Sequence, residues 1–329
     1  MQRATIAAAM AAGVLMAAAA PAVAEWPADK PIRVLVGFGA GGGTDIVARI
    51  IAQPLSELLH QSVVVENKPG AGGSIASEAA AKADKDGYTA AMISAGHTVS
   101  AVMLKSLRYD AVKDFAPVAL VADAAFVVVA RKDFPANDIK GLVQLAKASP
   151  GKLNFASVGL GSTQHFAGEL LRQMTGIDVK HIPYRGTPGV VTALRAQEVD
   201  YAVELAHAVQ GQVQAGELKI LAVGSSNRWP TIPDVPTIPD VPTVAESGVP
   251  GYLVMTWYGW VYPAGTPQAI VDKTNAALKE TLARPEIREQ MAKAGAAVHV
   301  STPAEFGKHM ADEVDKWKSV RDKAGLTPQ

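Results

Sequence analysis

From Ile32 onward the chain alternates β-branched apolar runs with helical patterns, and it does so twice. "IRVLV" leads into "DIVARIIAQPLSELL", "SVVVE" into "SIASEAAAKA", and "GYTAAMIS" into "HTVSAVMLKSL". Two extended runs, "FAPVALVA" and "FVVVARKD", follow. The alternation then restarts with helix "DIKGLVQLAKASP", strand "KLNFAS", helix "TQHFAGELLRQMT", strand "DVKHIPY", helix "PGVVTALRAQ", and strands "VDYAV" and "LKILAVG". Parallel neighbours need a crossover, and the crossover helix covers a face of the sheet it leaves. The pattern therefore predicts an α/β fold of two lobes, each about 120 residues long and each a mainly parallel sheet flanked by helices.

The C-terminal third supplies more helices: "TPQAIVDKTNAALKETLA", "EIREQMAKAG" and "STPAEFGKHMADEVDKWKSVRDKAG". The last opens with a capping box, Thr302 as cap, Pro303 just inside and Glu305 at the third helical position. These helices are expected to return to the first lobe. The chain then crosses between lobes twice, near residues 125–130 and 252–257. Two crossings make a hinge, and the cleft beside a hinge is a favoured place for a small ligand. The predicted boundaries are 25–127 plus 256–329 for lobe one and 128–255 for lobe two. The aromatic run "TWYGWVY" at the second crossing reads as hinge and core packing, with stacking on a ring-bearing ligand as the alternative.

The first 24 residues have a short basic start, a small apolar stretch and "PAVA", with Ala22 and Ala24 at the −3 and −1 positions. That layout predicts a secretory signal peptide cleaved before Glu25. No later segment approaches about 20 uninterrupted apolar residues. The chain has no Cys, which rules out a lipid-modified cysteine, a disulfide framework and a thiolate metal site. A freely released periplasmic protein is expected. Lys plus Arg and Asp plus Glu both number 31, so there is no basic field to attract nucleic acid or anionic lipid. An anionic ligand must be held by local donors.

Gly37, Gly39 and Gly42 satisfy G-x-G-x-x-G, and "SVVVE" ends in Glu66, where a dinucleotide site places its ribose-binding acid. Export weighs against that reading, and "MQRAT" lacks the twin arginine of enzymes exported with a cofactor bound. A glycine turn entering a helix has a second use. Its backbone admits a ligand closely, and the first N–H groups of the helix have no internal partners. Such a terminus, with Thr44 or Asp45 as cap, binds a carboxylate as well as a phosphate.

Catalytic constellations are absent from the sequence. The seven histidines (60, 97, 165, 181, 207, 299 and 309) show no metal-ligand spacing, and there is no G-x-S-x-G elbow. Ser162 with His165 lacks an evident acid partner. No catalytic residue, metal or cofactor is assigned. "TIPDVPTIPDVP", residues 231–242, is a perfect tandem duplication and reads as a proline-rich surface loop.

Nine stretches, in order over the mature chain, carry a family resemblance. They are "KPIRVLVGFGAGGGTDIVAR", "VVVENKPGAGGSIASEAAAKADKDGYT", "YDAVKDFAPVALVA", "ASPGKLNFASVGLGSTQHFAGELL", "HIPYRGTPGVVTALRAQEVD", "AGELKILAV", "DVPTVAESGVPGY", "WYGWVYPAGTP" and "TPAEFGKHMADEVDKWKSVRDKAGL". The sequence resembles the extracytoplasmic solute receptors of tripartite tricarboxylate transporters, the Bug family of periplasmic binding proteins.

The resemblance implies a two-lobed, type II-like "Venus flytrap" receptor, acting as a monomer, that closes over an organic acid and delivers it to membrane permease subunits. It implies that the ligand carboxylate sits between two loops. The first holds Phe38, Gly39, Ala40, Gly41, Gly42, Thr44 and Asp45; the second holds Ser157, Gly159, Gly161, Ser162, Thr163 and His165. "SVGLGSTQH" is again a glycine-rich strand-to-helix turn, so two helix N-termini offer donors to one anion. Further candidates for the pocket wall are Ser94, His97 and Thr98 after a strand end, Tyr184 and Arg185 after another, and Glu204.

Departures from the family pattern are Gly37, Gly39 and Ala40 where prolines are usual, the second copy of TIPDVP, and Glu204 where many relatives carry Asp. A carboxylate at 204 repels a second ligand carboxylate unless a proton, a water or a ligand amine intervenes; facing outward, it is merely solvated. A periplasmic enzyme with a nicotinamide or flavin cofactor, and a sensory receptor docking a signalling kinase, are the alternative functions.

Overall fold

The computed structural model describes residues 26–229, 241–323 and 327–328. The expected signal peptide, and residues 231–240 of the duplication, lie outside the described residues. The first alternation forms β1 (Ile32–Val36), α1 (Gly43–Leu59), β2 (Val63–Asn67), α2 (Ser74–Ala81), β3 (Thr89–Ser94) and α3 (Ala95–Met103). β1 lies between β2 and β3, parallel to both. The two extended runs that follow are one strand, β4 (Phe115–Arg131).

The second alternation gives α4 (Ile139–Ala148), β5 (Asn154–Ser157), α5 (Thr163–Thr175), β6 (Lys180–Pro183), α6 (Thr187–Arg195), β7 (Tyr201–Leu205), α7 (Ala206–Gln214) and β8 (Leu218–Val223). β5 is parallel to both β6 and β7. The chain closes with β9 (Met255–Pro263), α8 (Gln268–Ala283), α9 (Pro285–Lys293), β10 (Ala296–Val298) and α10 (Pro303–Lys323).

β4 organises the whole. Up to Ala125 it pairs with β9 and β10; from Phe126 it pairs with β7 and β8. On the return path, the Val254 N–H donates to the Gly224 carbonyl, and the next residue, Met255, lies opposite Ala125. Parallel pairing therefore holds within β2-β1-β3 and β7-β5-β6, while the strands between them are antiparallel. The reason is directional: β4 runs from the first lobe into the second, and the strands beside it, β9 in the first lobe and β7 and β8 in the second, run against it. Helices cover both faces, so β4 is apolar almost throughout. Its half-buried acid, Asp123, is paired by His299 Nδ1 at 2.8 Å.

The capping box forms as the sequence predicts. The Thr302 N–H donates to Glu305 Oε2 at 2.8 Å, and the Glu305 N–H donates to Thr302 Oγ1 at 3.2 Å. Further along α10, Glu313 accepts from the indole N–H groups of Trp317 at 3.0 Å and Trp257 at 3.2 Å. Burial pushes its pKa up, but Lys316 and the two indoles outweigh this and hold it below the usual range. Trp317 meets Phe166 of α5 edge to face at 5.7 Å, tying the terminal helix to the second lobe.

Among the described residues, no helix is long and apolar enough to cross a membrane. Because Trp317 is fully buried, Trp317→Ala is expected to cost roughly 3–5 kcal/mol, read as a lower urea midpoint. An unchanged midpoint would show that this contact contributes nothing.

Candidate functional site

Two turns leave the C-terminal ends of parallel strands and enter helices, the usual position of ligands in open α/β sheets. The first joins β1 to α1. Its cap is Gly42, with no side-chain capping bond, rather than the Thr44 or Asp45 expected from sequence. Asp45 instead sits inside the first turn of α1 and reaches back. It accepts from the Gly41 N–H at 2.9 Å, Arg49 Nε at 3.0 Å and Asn67 Nδ2 at 2.9 Å. Burial raises its pKa, but these donors hold it below the usual range, so Asp45 stays ionised and braces the turn. Asn67 also holds the Phe38 carbonyl at 2.9 Å. The N–H groups of Gly43, Thr44 and Asp45 have no partner among the described residues.

The second turn joins β5 to α5. Ser162 caps the helix, donating to the Gly159 carbonyl at 2.7 Å and accepting from the His165 N–H at 3.2 Å. His165 Nδ1 accepts from the Gly161 N–H at 3.3 Å, and its ring stacks on His181 at 4.1 Å. His181 in turn bonds Ser157 Oγ at 2.7 Å. Burial lowers both histidines, His181 to about 3, so the pair is neutral at ordinary pH. Ser157, Ser162 and His165 thus shape the loop. The Thr163 and Gln164 N–H groups are left without partners among the described residues.

A third turn, missed as a site element in the sequence, lies between them. Residues Ala71–Gly73 make a single 3-10 turn, and a Cβ on Gly72 would come within 2.9 Å of the Gly161 carbonyl oxygen. Gly72 also has φ +66, so the contact of turn with turn needs glycine on two counts. Nearby, a Cβ on Gly43 would lie 2.5 Å from the Tyr258 hydroxyl and 2.8 Å from Leu205 Cδ1. The two halves of the molecule are shut against each other at these points.

With this geometry in place, comparison with known proteins decides the family. Residues 47–326 match the family described as tripartite tricarboxylate transporter family receptor. The chain belongs to that family.

The receptor is 34% identical to BugT of Bordetella pertussis over 312 residues, 93% of each chain. Among solved structures it resembles the periplasmic binding protein BugD, with 36% identity, a TM-score of 0.84, and coverage of 92% of this chain and 100% of that one. It also resembles Rpa4515 of R. palustris, solved with adipate, with 31% identity, TM-score 0.86 and coverage of 92% and 100%. MatC of Rhodopseudomonas palustris, solved with malate, gives 32% identity, TM-score 0.82 and coverage of 88% and 98%. The fold is the two-lobed α/β fold of periplasmic binding proteins.

The remaining candidates separate sharply in the receptor. Ser94 lines a small void beneath Phe38 together with Gly37, Gly73 and Ser77. That void, about 10 Å³, has room for at most about one water, lies within the first lobe rather than between lobes, and is too small for an organic acid. His97 has both ring nitrogens engaged, with Ser77 Oγ at 2.9 Å and the Ala111 carbonyl at 2.8 Å, and its ring stacks on Tyr109. Thr98 is fully buried and donates to the Ala95 carbonyl. Both lie in the first turn of α3, with their polar atoms turned onto Ser77, Ala111 and Ala95 of the same lobe. The Tyr184 hydroxyl points to Glu198 on the exterior, and Arg185 is exposed.

Glu204 faces inward, which overturns the solvated alternative. It is fully buried, accepting on Oε2 from Thr187 Oγ1 at 3.1 Å and the Leu205 N–H at 3.3 Å, with Gln164 beside it. Oε1 has no partner. The Tyr258 hydroxyl and both ring nitrogens of His207 are likewise buried and without a hydrogen-bond partner among the described residues. The features behind the dinucleotide reading are otherwise engaged: Glu66 pairs with Arg33 at 2.6 Å and Lys68 at 3.1 Å, and Gly37 packs tightly on Gly73. Among the described residues, no group of three or more His, Asp or Glu is placed to hold a metal.

Two outcomes are expected. Alanine is a better helix former than glycine, so Gly43→Ala would leave an isolated α1 no weaker. Here the added methyl meets the far ends of the Tyr258, Leu205 and His207 side chains, which must turn aside, so Gly43→Ala is expected to lose roughly 1–3 kcal/mol, read as a lower urea midpoint. An unchanged midpoint would show that these side chains move at no cost.

The second outcome concerns pH. Burial raises Glu204 from 4.5 to about 7. The folded state then binds this proton more tightly than the unfolded state, and its contribution to stability falls as pH rises from about 4.5 to about 7. Buried His97 and His207, lowered from 6.5 to about 4, act oppositely: their contribution is lost as pH falls from about 6.5 to about 4. Relative to the wild type, Glu204→Gln should therefore gain stability as pH rises from 4.5 through 7. A difference that stays flat with pH would contradict the assignment.

Proposed function

We propose that the receptor is exported to the periplasm by cleavage of residues 1–24, closes over an organic carboxylic acid, and delivers it to the permease of a tripartite tricarboxylate transporter. The observation that carries this reading is the pair of glycine-lined turns, each presenting backbone N–H groups that its helix cannot satisfy. A carboxylate matches such donors, and the adipate and malate in the two R. palustris relatives support the ligand class. In this reading the first lobe comprises residues 25–127 and 256–329 and the second 128–255, supported by the change of β4's partners after Ala125.

The N–H groups of Gly43, Thr44, Asp45, Thr163 and Gln164 are the primary donors. Phe38, Gly39, Ala40, Gly41, Gly42, Gly159 and Gly161 let the ligand approach the backbone, Glu204 lines the wall, and Asp45, Ser157, Ser162 and His165 hold the turns in shape. The role is binding without catalysis. Closure is driven by the difference in ligand affinity between open and closed forms.

A thermal-shift screen over mono-, di- and tricarboxylates and aromatic acids tests the proposal. An acid at 100 times its Kd adds roughly 2.7 kcal/mol of stability. Thr163→Pro removes that residue's backbone N–H at the first position of α5, where proline is tolerated, and should weaken that acid while leaving the circular dichroism spectrum intact. The reading fails if no acid moves the transition and NADH does.

A further inference from the structure

Three carboxylates are buried among the described residues, and they are not equivalent: Asp45, Glu204 and Glu313. Asp45 has Arg49 at 3.0 Å, and Glu313 has Lys316 at 2.9 Å. Glu204, the most deeply buried, has no cation beside it; the Thr187 hydroxyl and the Leu205 N–H both donate to Oε2, with the Gln164 amide close by, and Oε1 has no hydrogen-bond partner among the described residues. A buried carboxylate oxygen without a partner is costly, because it loses water and gains nothing in return.

The position of Glu204 says what could supply that partner. It is the penultimate residue of β7, and the side chain of the next residue, Leu205, reaches Gly43 of the other lobe. Thr187 opens α6, and Gln164 is the second residue of α5, one of the two with a free N–H in the second turn. Leu205 points to the opposite face of β7, so what places Glu204 is its own neighbours: it lies against the first residues of α5 and α6, beside the open N–H groups of the second turn.

We propose that Glu204 determines specificity: its free Oε1 accepts a hydrogen bond from the ligand, so the receptor selects carboxylic acids that bear a hydroxyl or protonated amine close to the carboxylate. The inference rests on the carboxylate-receptor reading and narrows its substrate class. A second carboxylate in that place is repelled, and a plain methylene leaves Oε1 unpartnered.

Calorimetric titration at pH 8 with acids that differ only in the donor tests this: malate and aspartate against succinate, lactate against propionate, mandelate against phenylacetate. For the pairs that bind, the donor-bearing member is expected to bind about ten- to a hundredfold tighter, the range for a hydrogen bond to a charged group. In Glu204→Leu the preference shrinks to within about threefold. Glu204→Gln keeps a neutral acceptor and so retains preference for a hydroxyl while losing that for an ammonium. The wild-type comparison decides the matter even if a variant fails to fold. Acids that bind equally with and without the donor overturn this inference and leave the receptor reading standing; no binding by any acid overturns both.

Discussion

The site depends on backbone N–H groups that α1 and α5 cannot satisfy themselves. An α-helix leaves its first N–H groups without internal acceptors, and burying them without partners is unfavourable. Side chains could have closed both termini. In the first turn none does: Gly42 is the cap, and the nearest acid, Asp45, is turned back onto Gly41, Arg49 and Asn67. In the second turn Ser162 satisfies one N–H and leaves Thr163 and Gln164 open. The polar side chains around these turns thus fix the backbone's shape and leave its donors free for something else.

The shape of the two halves follows from β4 and β9. β4 is the strand that runs across: it pairs with β9 up to Ala125 and with β7 and β8 from Phe126, while the returning chain reaches β9 through the Val254–Gly224 hydrogen bond. Such a strand can twist or bend where its partners change, between Ala125 and Phe126, without breaking either lobe's sheet. Elsewhere between the lobes the surfaces that meet are backbone against backbone, Gly72 on Gly161, and glycine against side chain, Gly43 on Leu205. Contacts without long side chains lose little rotamer entropy on forming and leave little to disentangle on opening.

Much of this was legible in the sequence, and the exceptions have physical reasons. The strand–helix alternation and the capping box are local patterns, and both appear where they were read. The fusion of two runs into β4 was hidden because Asp123 looks like an interruption; its partner, His299, is 176 residues away. The engagement of His97 depends on Ser77 and Ala111, again beyond local reach. In "YAVEL", Tyr201 and Val203 point to one face and Ala202 and Glu204 to the other, but helices cover both faces of this sheet. Alternation there cannot tell inside from outside, so the direction of Glu204 was unreadable. The third turn was visible as "PGAGG", but its role rests on contact with Gly161, which no local pattern encodes.

Under the proposed function, the absence of a paired Arg or Lys among the donors of the described residues also limits how an anion can be held. A helix terminus contributes about 0.3–1 kcal/mol when exposed and up to ~2 kcal/mol when partly buried. Two termini together fall well short of the roughly 8 kcal/mol that a micromolar Kd represents. The rest must come from hydrogen bonds made in a water-excluded space and from the surfaces that close around the ligand. Affinity then tracks how completely the lobes shut. That places the energetic weight on small residues at the seam, Gly43, Gly72 and Gly161, and makes release a matter of opening the lobes rather than of breaking a strong ion pair.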